Sequence, residues 1–359
     1  MENIDNLNKF WYKKKVFITG HTGFKGSWLS IVLKYLKSNI YGYSLKPKKN
    51  SLFKLSKIEK KLSSNTYSDI NDLTKLKKKI KSIKPDIIFH LAAQPLVLDS
   101  YKRPIETFNT NIIGTLNVLE CAREVNSIKS IIIITTDKVY KIKKNNKTYN
   151  ELDELGGLDP YSASKVGSEI IVNSYIKSFF QKTRLKNKIS TARAGNVIGG
   201  GDFSTNRLIP DIVSSIKNKK KLIVRNPNHV RPWQHVLDPL IGYLILAEKQ
   251  YKNPINTRGY AWNFGPQKKN FKKVIDIVKF IKKIHNFNYI FLKSKKINET
   301  QILKLNSNKA IKKLKWISKW NLTQTLKNTL EWNSLVNKGL SAKEACEKQF
   351  LMYINKNKN

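Results

Sequence analysis

Residues 16–29 of the chain read VFITGHTGFKGSWL, and this stretch decides the fold. A short apolar run at 16–18 leads into Gly20, Gly23 and Gly26, and a helical pattern with one apolar face follows. A strand that ends in a glycine-rich turn at the start of a helix lets backbone N–H groups approach a pyrophosphate. The glycine spacing is a weak signal alone, but its place between a strand and a helix predicts dinucleotide binding.

The composition excludes several protein classes. A chain of 359 residues that is 40% hydrophobic can bury a large core in one or two domains. Since no apolar run is as long as a membrane span and residues 1–12 are polar, we expect a cytoplasmic protein without a membrane partner. Two cysteines and five scattered histidines predict neither a disulfide framework nor a bound metal.

The formal net charge of +43 raises the question of nucleic-acid binding. However, the lysines are spread along the chain together with many asparagines and isoleucines, as in products of AT-rich genomes. No helix-turn-helix, zinc-finger or RNP-like pattern accompanies them. The charge pattern therefore favours compositional bias, and we expect no nucleic-acid partner.

Predicted strands and helices alternate through the first half of the chain. Strands are predicted at 40–44, 65–67, 85–94, 130–135 and 189–193, and helices at 73–83, 107–125 and 161–181. In the helix at 107–125, Phe108 is among the residues predicted to point inward. Such alternation indicates an α/β fold with a Rossmann-type doubly wound parallel sheet over residues 13–195. From 196 to 359 the elements shorten, which predicts a smaller mixed α/β substrate-binding lobe, with 235–250 packing back on the first domain.

The end of the second predicted strand lacks the acidic residue that usually binds the adenosine ribose. No carboxylate occurs between Asp5 and Glu59, and Tyr43 and Ser44 stand at the expected place. The spacing alone therefore does not distinguish NAD from NADP.

Two short segments predict the chemistry. Thr135, Thr136, Asp137 and Lys138 follow a predicted strand, and Tyr161 begins a helix that also carries Lys165. A tyrosine and a lysine four residues apart share a helix face, and the ammonium group would lower the pKa of the phenol toward that of a general base. The same spacing recurs by chance elsewhere in so lysine-rich a chain, so the strand-end context is what selects this pair.

Eight motifs together resemble those of the extended short-chain dehydrogenase/reductases. They are GHTGFKGSWL, HLAAQP, TNIIGTLNVLE, TTDK, YSASK, ARAGNVIGGGD, RPWQHVLDPLIGYL and WNFGP, and the resemblance covers about residues 13–336. Within this family, residues 24–28 and 231–236 are most similar to those of the CDP-glucose 4,6-dehydratases. The resemblance implies that the cofactor is NAD and that the substrate is a nucleotide sugar, namely CDP-glucose. It also implies a homodimer or homotetramer formed by helices near 105–125 and 161–181.

The resemblance also implies roles for individual residues. Tyr161 would take the proton of the sugar 4-hydroxyl, Lys165 would bind the nicotinamide ribose, and Thr136 would contact the 4-oxygen. Asp137 would protonate the leaving 6-hydroxyl, and Lys138 would be the base at C5, where the dTDP-glucose enzymes have glutamate. The residues expected to bind the cofactor are Gly20, Thr22, Gly23, Phe24, Lys25, Gly26, Ser44, Asp69, Ile70, Leu91, Ala92, Ala93, Asn111, Thr135, Tyr161 and Lys165. The residues expected to bind the substrate are Gln94, Asn196, Arg207, Arg231, Trp233 and His235.

Two other functions remain open at this point. One is a different nucleotide-sugar 4,6-dehydratase or epimerase that acts on dTDP-glucose or UDP-N-acetylglucosamine. The other is a catalytically inactive, basic Rossmann protein that binds nucleic acid, which the intact Thr136, Asp137, Tyr161 and Lys165 disfavour.

Overall fold

The computed structural model describes residues 4–142, 148–253, 260–292 and 302–355. Its strands are β1 Lys15–Thr19, β2 Asn39–Ser44, β3 Ser64–Tyr67, β4 Ile87–His90, β5 Ser130–Ile134, β6 Ile189–Ala194, β7 Val197–Ile198, β8 Leu222–Val224, β9 Val230–Pro232, β10 Gln234–His235, β11 Ala261–Phe264, β12 Phe271–Lys273 and β13 Tyr289–Phe291. Its α-helices are α1 Ile4–Trp11, α2 Phe24–Tyr35, α3 Leu52–Leu55, α4 Leu73–Ile83, α5 Val97–Lys102, α6 Pro104–Phe108, α7 Gly114–Glu124, α8 Pro160–Tyr175, α9 Leu208–Asn218, α10 Leu237–Lys252, α11 Val274–Lys282, α12 Leu322–Asn337 and α13 Ala342–Asn355.

Seven strands form one parallel sheet in the order β3-β2-β1-β4-β5-β6-β11. The order reverses direction between β1 and β4, which is the switch point where open α/β sheets bind ligands. The predicted doubly wound parallel sheet is confirmed. Its last strand, β11, comes from residues far along the chain and was not among the predicted strands.

Both faces of the sheet are covered, and this explains the continuous apolar runs in its strands. On one face, α2, α10 and α13 contribute to a core that includes Trp28, Leu240 and Phe350. On the other face, α4, α7 and α8 enclose a second core around Leu76, Leu119 and Val172. The strand ends are therefore held rigidly between two packed layers.

Two long predicted helices are interrupted by single π-turns. Residues Asn109–Ile113 form a π-helical segment between α6 and α7, and Ile176–Phe180 form another after α8. The prediction that Phe108 points inward is wrong, because its side chain is 36% exposed. The extra residue in a π-turn shifts the helical phase, so a regular helical period misplaces residues beside it.

Part of the C-terminal half, including α9, β8 and α11, forms a smaller lobe with its own core beside the sheet's ligand-binding edge. Its core includes Ile212, Leu222, Val278 and Ile281, from α9, β8 and α11. Three two-stranded pairings, β7 with β10, β8 with β13 and β9 with β12, complete it. Helix α10 leaves the lobe and packs against β5, β6 and β11 of the large sheet.

None of the helices within the described ranges is both long enough and apolar enough to cross a membrane.

Candidate active site

The glycine turn between β1 and α2 is built so tightly that two of its three glycines are required by packing. Gly20 has φ +72°, and a Cβ there would lie 2.5 Å from the backbone nitrogen of Ala92. A Cβ on Gly26 would lie 2.2 Å from the carbonyl oxygen of Gly20. Gly23 is different, because it is exposed and a Cβ there would meet only the Gly20 oxygen at 3.4 Å. The compact turn with one open glycine fits the pyrophosphate of NAD, as the sequence predicts.

A buried histidine that the sequence analysis did not single out holds this turn against the sheet. The Nε2 atom of His21 lies 2.7 Å from Asn65 Oδ1, and its ring occupies the space where a Cβ of Gly42 would otherwise be. Burial lowers the pKa of His21 to about 4, so the ring is neutral at physiological pH. Beside it, the hydroxyl groups of Thr22 and Ser44 are hydrogen-bonded at 2.8 Å.

The remaining predicted cofactor residues lie along the same edge. Leu91, Ala92 and Ala93 follow β4, and the backbone N–H of Ala92 donates to Thr19 Oγ1 at 3.2 Å. Ile70 is buried against Gly114, and Asp69 is exposed, with its carboxylate accepting from the Asn71 N–H at 2.9 Å.

Asn111 is a buried clamp between three segments of the site. Its Oδ1 accepts from the backbone N–H of Gln94 at 2.9 Å, and its Nδ2 donates to Ser164 Oγ at 2.8 Å. These direct bonds join the loop after β4 to α8, so Asn111 fixes the distance between two walls of the site.

A cavity of about 340 Å³ lies between the sheet edge and the smaller lobe. Its lining brings together Thr135, Thr136, Asp137, Lys138 and Tyr161, which come from two segments of the sequence. The strand-end residues and the helix residue predicted to react therefore face one space. Lys165 lies behind this lining, where its ammonium group donates to the carbonyl of Ile134 at 3.1 Å.

Asp137 is the most unusual carboxyl group at this cavity. Its side chain is 3% exposed, and Thr136 Oγ1 donates to its Oδ1 at 3.1 Å. Its Oδ2 has no hydrogen-bond partner among the described residues. Burial raises the pKa of Asp137 to about 6, although the charge of Lys138 and the bond from Thr136 act in the opposite direction. A carboxyl group with this pKa can hold a proton near neutral pH and donate it.

The pKa values of the tyrosine and the lysine on α8 differ from those expected from the sequence. Burial raises the pKa of Tyr161 to about 12, while the neighbouring Thr136 hydroxyl and the charge of Arg207 lower it. Burial, with the nearby charge of Lys25, lowers the pKa of Lys165 to about 7. The expected lowering of the phenol's pKa by Lys165 is not seen, since desolvation is the largest cause of the shift and raises the pKa.

A buried ion pair beneath the strand end was also missed from the sequence. Arg193 on β6 donates to Glu169 on α8, from Nε to Oε1 at 2.8 Å and from one terminal nitrogen to Oε2 at 3.0 Å. Thr135 Oγ1 and Thr191 Oγ1 each donate to the same carboxylate at 2.7 Å. Because its two members stand 24 positions apart with no flanking motif, no local pattern could have paired them.

The predicted substrate residues divide into two groups. Asn196, Arg207, Arg231 and Trp233 line the cavity. Gln94 and His235 are not among its lining residues. The Gln94 amide bonds to Leu96 and Thr107, and His235 is fully buried with its ring edge-to-face against Trp28 and Trp320.

Seven further polar residues of the lining were not predicted. They are Asp99, Asp202, Asn206, Asp211, Arg225, Asn226 and His229. Asp202 accepts from Arg207 at 3.1 Å, and Arg225 donates to Asn206 Oδ1 at 2.8 Å. The loop of three glycines before Asp202 marks this region in the sequence, but nothing there indicates which side chains face the cavity.

Comparisons with known proteins agree with this geometry. The model of the GDP-mannose 4,6 dehydratase family matches residues 17–329. The chain is 41% identical over 330 residues to CDP-glucose 4,6-dehydratase of Salmonella typhimurium (strain LT2), covering 90% of this chain and 91% of that protein. It is 31% identical over 263 residues to dTDP-D-glucose 4,6-dehydratase of Dictyostelium discoideum, covering 69% of this chain and 58% of that protein.

Solved structures show the same fold. The crystal structure of dTDP-glucose 4,6-dehydratase from Bacillus anthracis in complex with NAD superposes with a TM-score of 0.76 at 22% identity, covering 91% of this chain and 98% of that chain. The cofactor predicted from the sequence is NAD, and the compact glycine turn accommodates it. The resemblance inferred from the motifs is confirmed. The chain belongs to the GDP-mannose 4,6 dehydratase family.

Proposed function

We propose that this protein converts CDP-D-glucose to CDP-4-dehydro-6-deoxy-D-glucose, an intramolecular redox dehydration in which NAD is restored in each turnover. The observation that carries the proposal is Asp137, a buried carboxyl group that lines the same cavity as Tyr161 and has one oxygen without a hydrogen-bond partner among the described residues. The similarity to the Salmonella enzyme supports CDP-glucose as the substrate. When bound, NAD supplies reversible two-electron redox chemistry at the hexose.

The first step requires a base at the sugar's 4-hydroxyl. Tyr161 lines the cavity, and Thr136, beside it, would hold the 4-oxygen by a hydrogen bond. Tyr161 would take this proton while C4 is oxidised, and the sugar would then carry a ketone at C4. The ketone makes the hydrogen on C5 acidic, which prepares the elimination.

The elimination requires a base and an acid on neighbouring carbons. Lys138 is half-buried in the cavity lining and would remove the C5 proton. Asp137 would donate its proton to the leaving 6-hydroxyl, which departs as water. Because the two residues are adjacent and begin a single 3₁₀ turn, Asp137–Val139, the strand end sets their relative position.

The two parts of the chain would divide the binding work. Residues 13–195 would bind NAD, with Lys165 at the nicotinamide ribose, and residues 196–359 would mainly bind the nucleotide sugar. Asn196, Arg207, Arg231 and Trp233 would contact the substrate from the lobe side of the cavity. A guanidinium group matches phosphate oxygens well, so the two arginines suit the diphosphate.

We place the reaction in the cytoplasm, at the start of deoxysugar synthesis for O-antigen-type polysaccharides such as lipopolysaccharide. We also infer a homodimer or homotetramer formed through the helices near 105–125 and 161–181. Supporting this assembly, Ile105 and Phe108 of α6 and Ile170 of α8 leave apolar side chains exposed. Exposed apolar side chains on two helices that pack against each other are typical of protein interfaces.

The direct test is product analysis with several substrates. Purified protein would be incubated with NAD and, separately, with CDP-glucose, dTDP-glucose, UDP-glucose and UDP-N-acetylglucosamine. We expect loss of water from CDP-glucose and the alkali-revealed absorbance of a 4-keto sugar. If another nucleotide sugar is dehydrated and CDP-glucose is not, the proposed substrate is wrong. If none of them is dehydrated, the proposal is overturned.

A further inference from the structure

The backbone of Lys25 is part of the glycine turn, whereas its side chain lines the cavity. It stands between Phe24 and Gly26 in the first turn of α2, where the sequence predicts a cofactor contact. Its side chain is half-buried and lines the cavity together with Asp137, Tyr161 and Arg207. The lysine therefore faces the space where the substrate would bind.

Lys25 differs from the neighbouring cations because its ammonium group has no hydrogen-bond partner in the part of the chain that the structure describes. No hydrogen bond or ion pair joins it to any residue in the described ranges. In contrast, Lys165 donates to the Ile134 carbonyl at 3.1 Å, and Arg207 pairs with Asp202 at 3.1 Å. A half-buried cation without a hydrogen-bond acceptor is unfavourable unless a ligand supplies one.

The pKa of Lys25 is also consistent with an anion bound at its ammonium group. Burial and the charge of Arg207 together lower the pKa of Lys25 to about 8, although the charges of Asp137 and Asp202 act in the opposite direction. An anion between Lys25 and Arg207 would relieve both the desolvation and the repulsion of the two cations. The two side chains approach this position from different halves of the protein, Lys25 from α2 and Arg207 from the residue before α9.

We propose that Lys25, together with Arg207, binds the diphosphate of the nucleotide sugar, and that it does not serve mainly the pyrophosphate of NAD. The inference rests on the proposed function for the class of substrate. Lys25 lies in the half of the chain that binds the cofactor, but on this proposal it holds the substrate. The bound substrate would therefore contact both halves of the protein. A lysine suits this task as a compact charge that needs no fixed angle to the phosphate oxygens.

The test compares ligands with and without a diphosphate. CDP and cytidine would be titrated calorimetrically into NAD-loaded wild type, Lys25→Met and Lys25→Arg, and NAD into each protein without ligand. Lys34→Met is the matched control, because Lys34 lies on the same helix and is also half-buried but does not line the cavity. UDP and dTDP would be titrated in parallel.

We expect Lys25→Met to weaken CDP binding about tenfold or more, as for the loss of one charged hydrogen bond. Cytidine affinity and NAD affinity should stay within about threefold of wild type, and Lys25→Arg should bind CDP nearly normally. Unchanged CDP affinity in Lys25→Met would overturn the inference, and so would a loss confined to NAD or one that affects cytidine equally.

The same titrations separate this inference from the proposed function. If wild type binds UDP or dTDP but not CDP, the proposed substrate is wrong, and the role of Lys25 is judged with the nucleotide that binds. If wild type binds CDP and Lys25→Met binds it equally well, the proposed function stands and the role of Lys25 falls. If no nucleoside diphosphate binds wild type, both are overturned.

Discussion

Two buried carboxyl groups lie near the end of β5, Glu169 through a hydrogen bond from Thr135 and Asp137 two residues after it in the chain, and they differ in their hydrogen-bond partners and in the direction of their pKa shifts. Glu169 is fully buried, and both of its oxygens accept hydrogen bonds, from Arg193, Thr135 and Thr191. Asp137 is almost as deeply buried and lines a cavity, yet one of its oxygens has no hydrogen-bond partner among the described residues. The comparison shows how the protein either satisfies a buried carboxyl group completely or leaves one of its oxygens free for a ligand.

The electrostatic consequences are opposite in sign. Burial raises the pKa of Glu169, but the charge and hydrogen bonds of Arg193 outweigh it, so the net pKa is lowered and the group stays ionised. Burial is not offset at Asp137, and its pKa rises to about 6. A fully partnered carboxylate holds strand β6 and helix α8 together, whereas an incompletely partnered one can exchange a proton with a ligand.

Breaking the structural pair should have the largest effect. Arg193→Met would leave Glu169 buried without a counter-charge, and we expect the free energy of unfolding to fall by about 3–5 kcal/mol. The double variant Glu169→Gln/Arg193→Met should recover a large part of this loss, because no charge is then stranded. Urea denaturation of the purified proteins measures both values.

The control for this prediction is an exposed ion pair. Arg123 contacts Glu120 at 2.9 Å on the surface of α7, and Arg123→Met should cost less than about 1 kcal/mol. Equal losses at Arg193 and Arg123 would contradict the contrast between a buried and an exposed pair.

Removing the charge of the reactive carboxyl should stabilise the fold, but only at high pH. The pKa of Asp137 is raised from 3.8 to about 6 on folding, so its contribution to stability is complete below pH 3.8 and is lost as the pH rises through 6. We therefore expect Asp137→Asn to be more stable than wild type by up to about 3 kcal/mol at pH 8 and nearly equal to it near pH 4. Urea denaturation at several pH values measures this difference.

Asp238 provides the matched control, because burial also raises its pKa to about 6. Its carboxylate accepts from the backbone N–H groups of His235 and Lys319 at 3.1 and 3.0 Å and from the hydroxyl of Tyr353. An asparagine has only one acceptor oxygen, so Asp238→Asn should show no such gain. A pH-independent difference for Asp137→Asn would refute the assigned titration.

Lys138, the residue after Asp137, extends the comparison, because its proposed role is in the reaction and not in holding the fold together. Lys138→Ala should lower turnover of CDP-glucose by about 100-fold, the range for loss of a general base, with NAD affinity and unfolding free energy close to wild type. Lys141→Ala, an exposed lysine paired with Glu154, is the control and should turn over normally. Wild-type turnover in Lys138→Ala would remove Lys138 from the mechanism.

Much of the fold could be predicted because its signals are local. The run 16–29 contains a strand, a turn and a helix start within one window, and its glycines are constrained by contacts inside that turn. Strand β11 was missed because four residues at its position join the sheet only through pairing with β6, more than sixty positions earlier. Helix α1 was missed because Leu7 and Trp11 are buried among polar neighbours in a segment whose average composition is polar.

The site was predictable where a residue follows directly from an element's end. Thr136, Asp137 and Tyr161 were placed by a strand end and a helix start, and the structure brings them to one cavity. The sign of the pKa shift of Tyr161 was not predictable, because it depends on how completely distant segments exclude water. Gln94 and Lys25 show the same limit, since which way a side chain points is decided by tertiary packing.

The most direct test of the account separates the roles of Tyr161 and Asp137 in one reaction. Asp137→Asn and Tyr161→Phe would each be incubated with NAD and CDP-glucose at high enzyme concentration, and the sugar nucleotide followed by mass spectrometry. The account predicts that Asp137→Asn accumulates an oxidised sugar that has not lost water, whereas Tyr161→Phe leaves the substrate unchanged. Dehydrated product formed by Asp137→Asn at the wild-type rate would contradict it.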